Sequence, residues 1–117
     1  MTFEKRRKVL LQKAATGEMR VDVAVDKNAC RSVGYCVSSV NEDKTGEIES
    51  IFVAKDYRGL GIGASLLKAA LAWMDSKGLE KKIVSVGAGN EQSFGFYERF
   101  GFRVRKTELE QTESKKI

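Results

Sequence analysis

Proline and histidine are absent from this 117-residue chain, and cysteine occurs only at Cys30 and Cys36. Without histidine, a general base has to be Glu, Asp, Tyr, Lys, Cys or water. Two cysteines this close, with no third thiol and no imidazole, do not build an ordinary zinc site, so no metal is expected. In a reducing compartment both are plain thiols, with Cys36 read as a small core residue inside a strand. No apolar run approaches the roughly 20 residues that a membrane helix requires. The basic start, Met1-Thr2-Phe3-Glu4-Lys5-Arg6-Arg7-Lys8, has no long apolar stretch behind it and does not read as a secretory signal. A cytoplasmic protein with no membrane partner is the simplest expectation.

What is present is an ordinary globular balance, 42% hydrophobic and 32% charged residues, with a formal net charge of +5. That balance argues against wholesale disorder, and the length suits one small domain with one core. Part of the positive excess is local, at Lys5, Arg6, Arg7, Lys8 and Lys13 and again at Lys81, Lys82, Arg99, Arg103, Arg105 and Lys106. It suits a nucleic acid or a multiply phosphorylated small molecule, and most of it reads as solvated surface.

Apolar spacing predicts a helix over residues 3–16, with Val9, Leu10, Leu11 and Ala14 on one face and Gly17 at its end. Residues 19–25 alternate, with Met19, Val21, Val23 and Val25 on one side and Arg20, Asp22 and Ala24 on the other, as in a half-buried strand. A second strand is expected over 32–40 and a third over 47–53, separated by polar turns. In the third, Glu49, Ile51 and Val53 share one face and Ile48, Ser50 and Phe52 the other. A helix from about residue 63 to 76 carries Leu66, Leu67, Ala70, Leu71, Trp73 and Met74 in a stripe and stops at Gly78. There follow a strand over 83–86, a short helix over 92–100, a last strand over 102–109 and a polar tail over 110–117. Short turns make the early strands antiparallel, and a helical crossover adds a parallel neighbour. The expectation is one α/β domain over residues 1–117, a mixed and mostly antiparallel sheet flanked by helices.

The most informative stretch is Arg58-Gly59-Leu60-Gly61-Ile62-Gly63-Ala64, which lies between a strand and an amphipathic helix. Three glycines in five residues free backbone N–H groups to approach an anion, and the helix adds its own free N–H groups and the positive end of its dipole. A phosphate, most economically a pyrophosphate, fits this. The P-loop is excluded because Gly63 is followed by Ala64 and Ser65 rather than by Lys and Ser or Thr; the dinucleotide fingerprint is excluded by the glycine spacing.

Arg58-x-x-Gly61-x-Gly63 resembles the pyrophosphate-binding signature of the GNAT superfamily of N-acetyltransferases. A second segment, Asn90-Glu91-Gln92-Ser93-Phe94-Gly95-Phe96-Tyr97-Glu98-Arg99-Phe100-Gly101-Phe102, is similar to that family's Asn-x-x-Ala/Ser-x-x-Phe-Tyr-x-x-x-Gly-Phe segment. The resemblance implies the GNAT fold, with acetyl-coenzyme A as cosubstrate. It implies that Arg58, Gly59, Gly61 and Gly63, with the amides of Leu60, Ile62 and Ala64, hold the pyrophosphate. Phe52 and Val53 would offer main-chain groups to the pantetheine arm, and the Val53 amide would polarise the thioester carbonyl. Asn90, with Ser93 beside it, would contact the cofactor arm, and Tyr97 would face the sulfur.

The chemistry asks for such groups independently. An amine of pKa about 10.4 must lose a proton before it attacks, and a carboxylate acting directly or through water takes it. Glu49 is the first candidate and Glu47 the second, and both also read as solvent-facing strand residues. The departing thiolate needs an acid, a role for the Tyr97 phenol, whose alternative is packing beside Phe96. Three departures from the family stand out: Lys55 where proline is frequent, a single expected helix before Met19 where family domains have a strand and two helices, and the lack of histidine and of an unmistakable catalytic carboxylate, which leaves the base open between Glu49 and Glu47. The second leaves the acceptor side open, completed by another subunit, or without function.

The expected activity is transfer of acetyl from acetyl-coenzyme A to a primary amine, on a small molecule or a protein, by direct attack. The rivals are a non-catalytic acyl-coenzyme A-binding domain and a basic nucleic-acid-binding module. The aromatics count against the latter, because they sit at core-like spacings rather than forming a stacking platform. A homodimer is expected, since the short N-terminal part leaves a sheet edge to be covered.

Overall fold

The computed structural model describes residues 18–114; the helix expected over residues 3–16 lies outside them. The chain divides into two compact units, Met1–Ser85 and Val86–Ile117.

The first unit holds a four-stranded sheet in the order β1-β2-β3-β4, with β1 Glu18–Asp26, β2 Arg31–Val40, β3 Thr45–Val53 and β4 Lys81–Val84. The first three strands pair antiparallel, and β4 pairs parallel to β3. Helix α1, Ile62–Ser76, makes the crossover. The tight turns follow from side chains that replace backbone partners: Asp26 Oδ1 accepts the Asn28 N–H at 3.0 Å, and Asn41 Oδ1 accepts the Thr45 N–H at 2.9 Å.

The stripe read from the helix spacing is the face that packs. Leu66, Leu67, Ala70 and Met74 are buried, while Lys68 and Asp75 are exposed. Gly78 ends the helix in the left-handed region at φ 69°, where its N–H reaches the Asp75 carbonyl at 3.0 Å and Leu79 turns inward at 8% exposure. The helix stripe packs on the face of the sheet that carries Cys36, Val40 and Ile48, while Val37, opposite Val21, is buried on the other face.

Three strand expectations need correction. The valine side of β1 was expected to be buried, yet Val21, Val23 and Val25 are 56%, 52% and 56% exposed. Pairing decides this: Asp22 and Ala24 stand opposite Cys36 and Gly34, whose face lies under α1, so the valines are turned to the other face. Asp22 tolerates its half-buried position because Arg20 grips it through two nitrogens, the closest contact being 2.8 Å. In β3, Val37 pairs with Ser50 but Ser38 pairs with Ile48, so Glu49 is the extra residue of a bulge. Ile48 therefore lies on the face of Ile51 and Val53, opposite to Ser50 and Phe52, and it is 3% exposed.

The third correction falls in the second unit. A 3-10 turn, Glu91–Ser93, leads into helix α2, Phe94–Glu98, but residues 102–109 form no strand. Arg103 folds back to donate to the carbonyls of Glu98 and Phe102 at 3.1 and 2.7 Å, and Val104 and Leu109 are left 64% and 91% exposed. A segment that buries neither side has no apolar face with which to join a sheet. Tyr97 centres the unit's packing, with Phe96 and Phe102 edge-on at centroid distances of 5.2 and 5.8 Å.

Candidate functional site

The β3–β4 ladder runs from Thr45–Lys81 to Ile48–Val84 and then stops. Beyond it, the outer edge of residues 49–53 has no partner strand among the described residues. What that edge offers depends on hydrogen-bond parity. The Ala54 N–H donates to the Val33 carbonyl at 2.7 Å, so Gly34 and Val53 are a non-hydrogen-bonded pair. The N–H and C=O of Val53 therefore point away from β2, toward the edge that has no partner strand among the described residues. The Phe52 carbonyl faces the other way, 2.8 Å from where a Cβ on Gly34 would sit. The main-chain role expected for this pair accordingly rests on Val53, while Phe52 presents a half-exposed ring tilted against Tyr35 at 5.8 Å.

The chain leaves β3 through a 3-10 turn, Lys55–Tyr57, in which the Tyr57 N–H reaches the Ala54 carbonyl at 2.9 Å. Lys55, standing where the family often has proline, is accommodated in that turn. Arg58 then donates its Nε–H to the Val53 carbonyl at 3.0 Å. Gly59 and Gly61 both adopt left-handed backbone, at φ 79° and 82°, where a side chain is strained. A Cβ at either would meet nothing within 4 Å among the described residues, so conformation rather than crowding selects glycine.

Gly61 is also the N-cap of α1. The first turn has no capping side chain and no acidic residue. The amides of Ile62, Gly63 and Ala64 thus stand at the positive end of the helix, and Ser65 is the first to bond backward, to the Gly61 carbonyl at 3.0 Å. An open cavity of about 380 Å³ lies alongside, with Asp22, Ala24, Leu60, Gly61 and Ser65 in its wall. Free amides at the start of a helix, with no acidic residue in the first turn, are the kind of surface that favours an anion.

The carboxylate candidates differ in place. Glu49 sits half-buried on the bulge, and Glu47 pairs with Ser39 on the face opposite to Ile48. Asn90, Ser93 and Tyr97 belong to the second unit. The Asn90 carbonyl accepts both the N–H and the hydroxyl of Ser93, at 3.1 and 2.9 Å, so that hydroxyl shapes the turn. The Asn90 side-chain oxygen accepts from Gln92 at 2.5 Å. Glu91 accepts the Gly89 N–H, which holds its carboxyl below the usual range.

One contact was not legible in the sequence. The Tyr57 hydroxyl donates to Asp26 Oδ2 at 2.5 Å, and the Arg31 guanidinium lies 5.4 Å from the centre of the Tyr57 ring. The Tyr57 hydrogen bond, followed by the Ala29 N–H, holds the Asp26 carboxyl below the usual carboxylate range. No local pattern links residues so far apart in the chain.

Residues 6–102 match the acetyltransferase (GNAT) family. The chain belongs to this family. Its relatives include N-alpha-acetyltransferase 30 of Schizosaccharomyces pombe, 33% identical over 68% of this chain and 55% of the relative. A mycothiol acetyltransferase of Corynebacterium aurimucosum is 44% identical over 50% of this chain and 19% of its own length. The GNAT chain described here therefore spans from about a fifth to about half of these two relatives. Among solved structures, a proposed acetyl transferase from Pyrococcus furiosus superposes with a TM-score of 0.79 at 28% identity, covering 94% of this chain and 76% of that one. The mixed sheet with its helical crossover is the GNAT fold.

Proposed function

We propose that this GNAT chain transfers acetyl from acetyl-coenzyme A to a primary amine, by direct attack and without a covalent enzyme intermediate. The observation that carries the reading is the outward-facing Val53 amide on the uncovered edge of β3, joined through Arg58 to the glycine turn at the start of α1. The names of the relatives, acetyltransferases all, support the reaction class. Residues 58–64 bind the pyrophosphate through backbone amides, with Asn90 and Ser93 on the cofactor arm. The Val53 N–H donates to the thioester oxygen as negative charge develops there. The amine nitrogen bonds to the carbonyl carbon, its proton passes to Glu49 directly or through water, and the carbon–sulfur bond breaks. Tyr97 returns a proton to the thiolate. The family match crosses the boundary between the two compact units, which supports one GNAT domain over residues 1–117.

The same reading keeps the protein in the cytoplasm, in line with free thiols at Cys30 and Cys36. It also makes the protein a symmetric dimer, supported by the edge position of β1 and its exposed valines. Sedimentation equilibrium at micromolar concentration tests the dimer, and a mass near 13.0 kDa throughout would overturn it.

The activity is tested by thermal shift with acetyl-coenzyme A, followed by an amine panel monitored for thiol release. A stabilised protein that releases thiol with at least one amine is expected. Binding without release from any amine class would leave a binding domain and remove the enzyme.

A further inference from the structure

Among the described residues, the tip of the glycine turn has little packing of its own. Gly59 and Gly61 meet no neighbour among the described residues from the Cβ direction within 4 Å, and Leu60 between them is 70% exposed. Glycines lose more freedom than other residues on being ordered, so a turn held only by itself would present its amides poorly to an anion. Its order has to come from its ends. At the far end it enters α1. At the near end stand Tyr57 and Arg58, and Arg58 is tied to the end of β3.

Tyr57 is tied elsewhere. Its hydroxyl donates to Asp26 Oδ2 at 2.5 Å, while Asp26 Oδ1 accepts the N–H groups of Asn28 and Ala29 at 3.0 and 3.2 Å. One carboxylate thus closes the β1–β2 turn and anchors the residue just before Arg58. Arg31, from the far side of that turn, lies over the Tyr57 ring, and the Ala54 N–H bonds to Val33 just beyond. The segment that leads into the glycine turn is therefore docked onto the β1–β2 turn through a hydroxyl–carboxylate contact backed by a cation.

We propose that Tyr57 and Asp26 are positioning residues for the pyrophosphate turn, holding residues 58–64 in the binding arrangement before the cosubstrate arrives. The proposal rests on the reading of that turn as the acetyl-coenzyme A site. Neither residue touches the reacting atoms. Their contribution is preorganisation, so it falls on ligands that carry the pyrophosphate and spares those that lack it.

The test measures binding of coenzyme A and of pantetheine, which lacks the pyrophosphate, to the full chain and to Tyr57→Phe, Asp26→Asn and the double variant. Tyr57→Phe is expected to weaken coenzyme A by roughly three- to tenfold, the scale of one net hydrogen bond, and Asp26→Asn by no more than that. Pantetheine is expected to stay within about twofold. The double variant should lose no more than Tyr57→Phe, because that substitution deletes the contact whereas Asp26→Asn removes only its charge. Circular dichroism melts identify a variant that fails to fold, and Tyr57→Phe, which keeps the ring and leaves the Asp26 contacts with Asn28 and Ala29 in place, carries the test. Unchanged coenzyme A affinity in the folded variants, or equal weakening of both ligands, overturns the positioning role. Should the unaltered protein hold coenzyme A no more tightly than pantetheine, the reading of the turn itself falls, a result distinct from either of those.

Discussion

Arg58 donates its Nε–H to the Val53 carbonyl across 3.0 Å, so one side chain joins the strand end that offers an outward amide to the turn that offers the helix amides. Lysine keeps the charge but has no donor at the Nε position and no planar fork. Arg58→Lys should therefore weaken acetyl-coenzyme A binding by roughly three- to tenfold, on the scale of one net hydrogen bond, with folding intact. Calorimetric titration measures it, and an unaltered affinity would show that charge alone suffices at this position.

Gly61 sits at φ 82° as the N-cap of α1. A valine there is strained by the left-handed backbone and brings its branched side chain to the surface an anion must approach. Gly61→Val should abolish the thermal shift produced by acetyl-coenzyme A. A folded variant that retains the full shift would rule the turn out as the cosubstrate site.

Tyr97 is 9% exposed and packs edge-on against Phe96 and Phe102. Phenylalanine preserves that packing and deletes only the hydroxyl. If the hydroxyl protonates the leaving thiolate, Tyr97→Phe lowers kcat far more than it weakens cosubstrate binding. Turnover within about twofold of the parent would reduce Tyr97 to a packing residue.

Cys36 is fully buried on β2 under α1, and burial, aided by the nearby Asp22 carboxylate, pushes its thiol up to about 11 from 9.0. A raised pKa in the folded state means that the fold favours the protonated thiol. That contribution is complete below pH 9.0 and is lost as pH rises through about 11. The melting temperature should fall across that window, less steeply in Cys36→Ala. At neutral pH a thiol reagent should modify the exposed Cys30 quickly and Cys36 only on unfolding; two fast thiols would contradict the burial.

What the sequence alone determined here is local. The stripe on α1, its glycine stop at Gly78 and the glycine turn before it are set by neighbours three or four residues apart, and steric preferences act at that range. The family motif over residues 58–63 was legible for the same reason, since its chemistry resides in one turn and one helix end. The tertiary structure decided the rest. Both sides of β1 alternate, and only the pairing of Asp22 with Cys36 turned the valines outward. The bulge at Glu49 moved Ile48 to the other face, because a single extra residue reverses every assignment on one side of it. Val53 gained its outward amide from the Ala54–Val33 bond, and the Tyr57 hydroxyl reached Asp26 across a separation of 31 residues. Register and hydrogen-bond parity belong to a pair of strands, and docking contacts to two distant turns; no single segment encodes either.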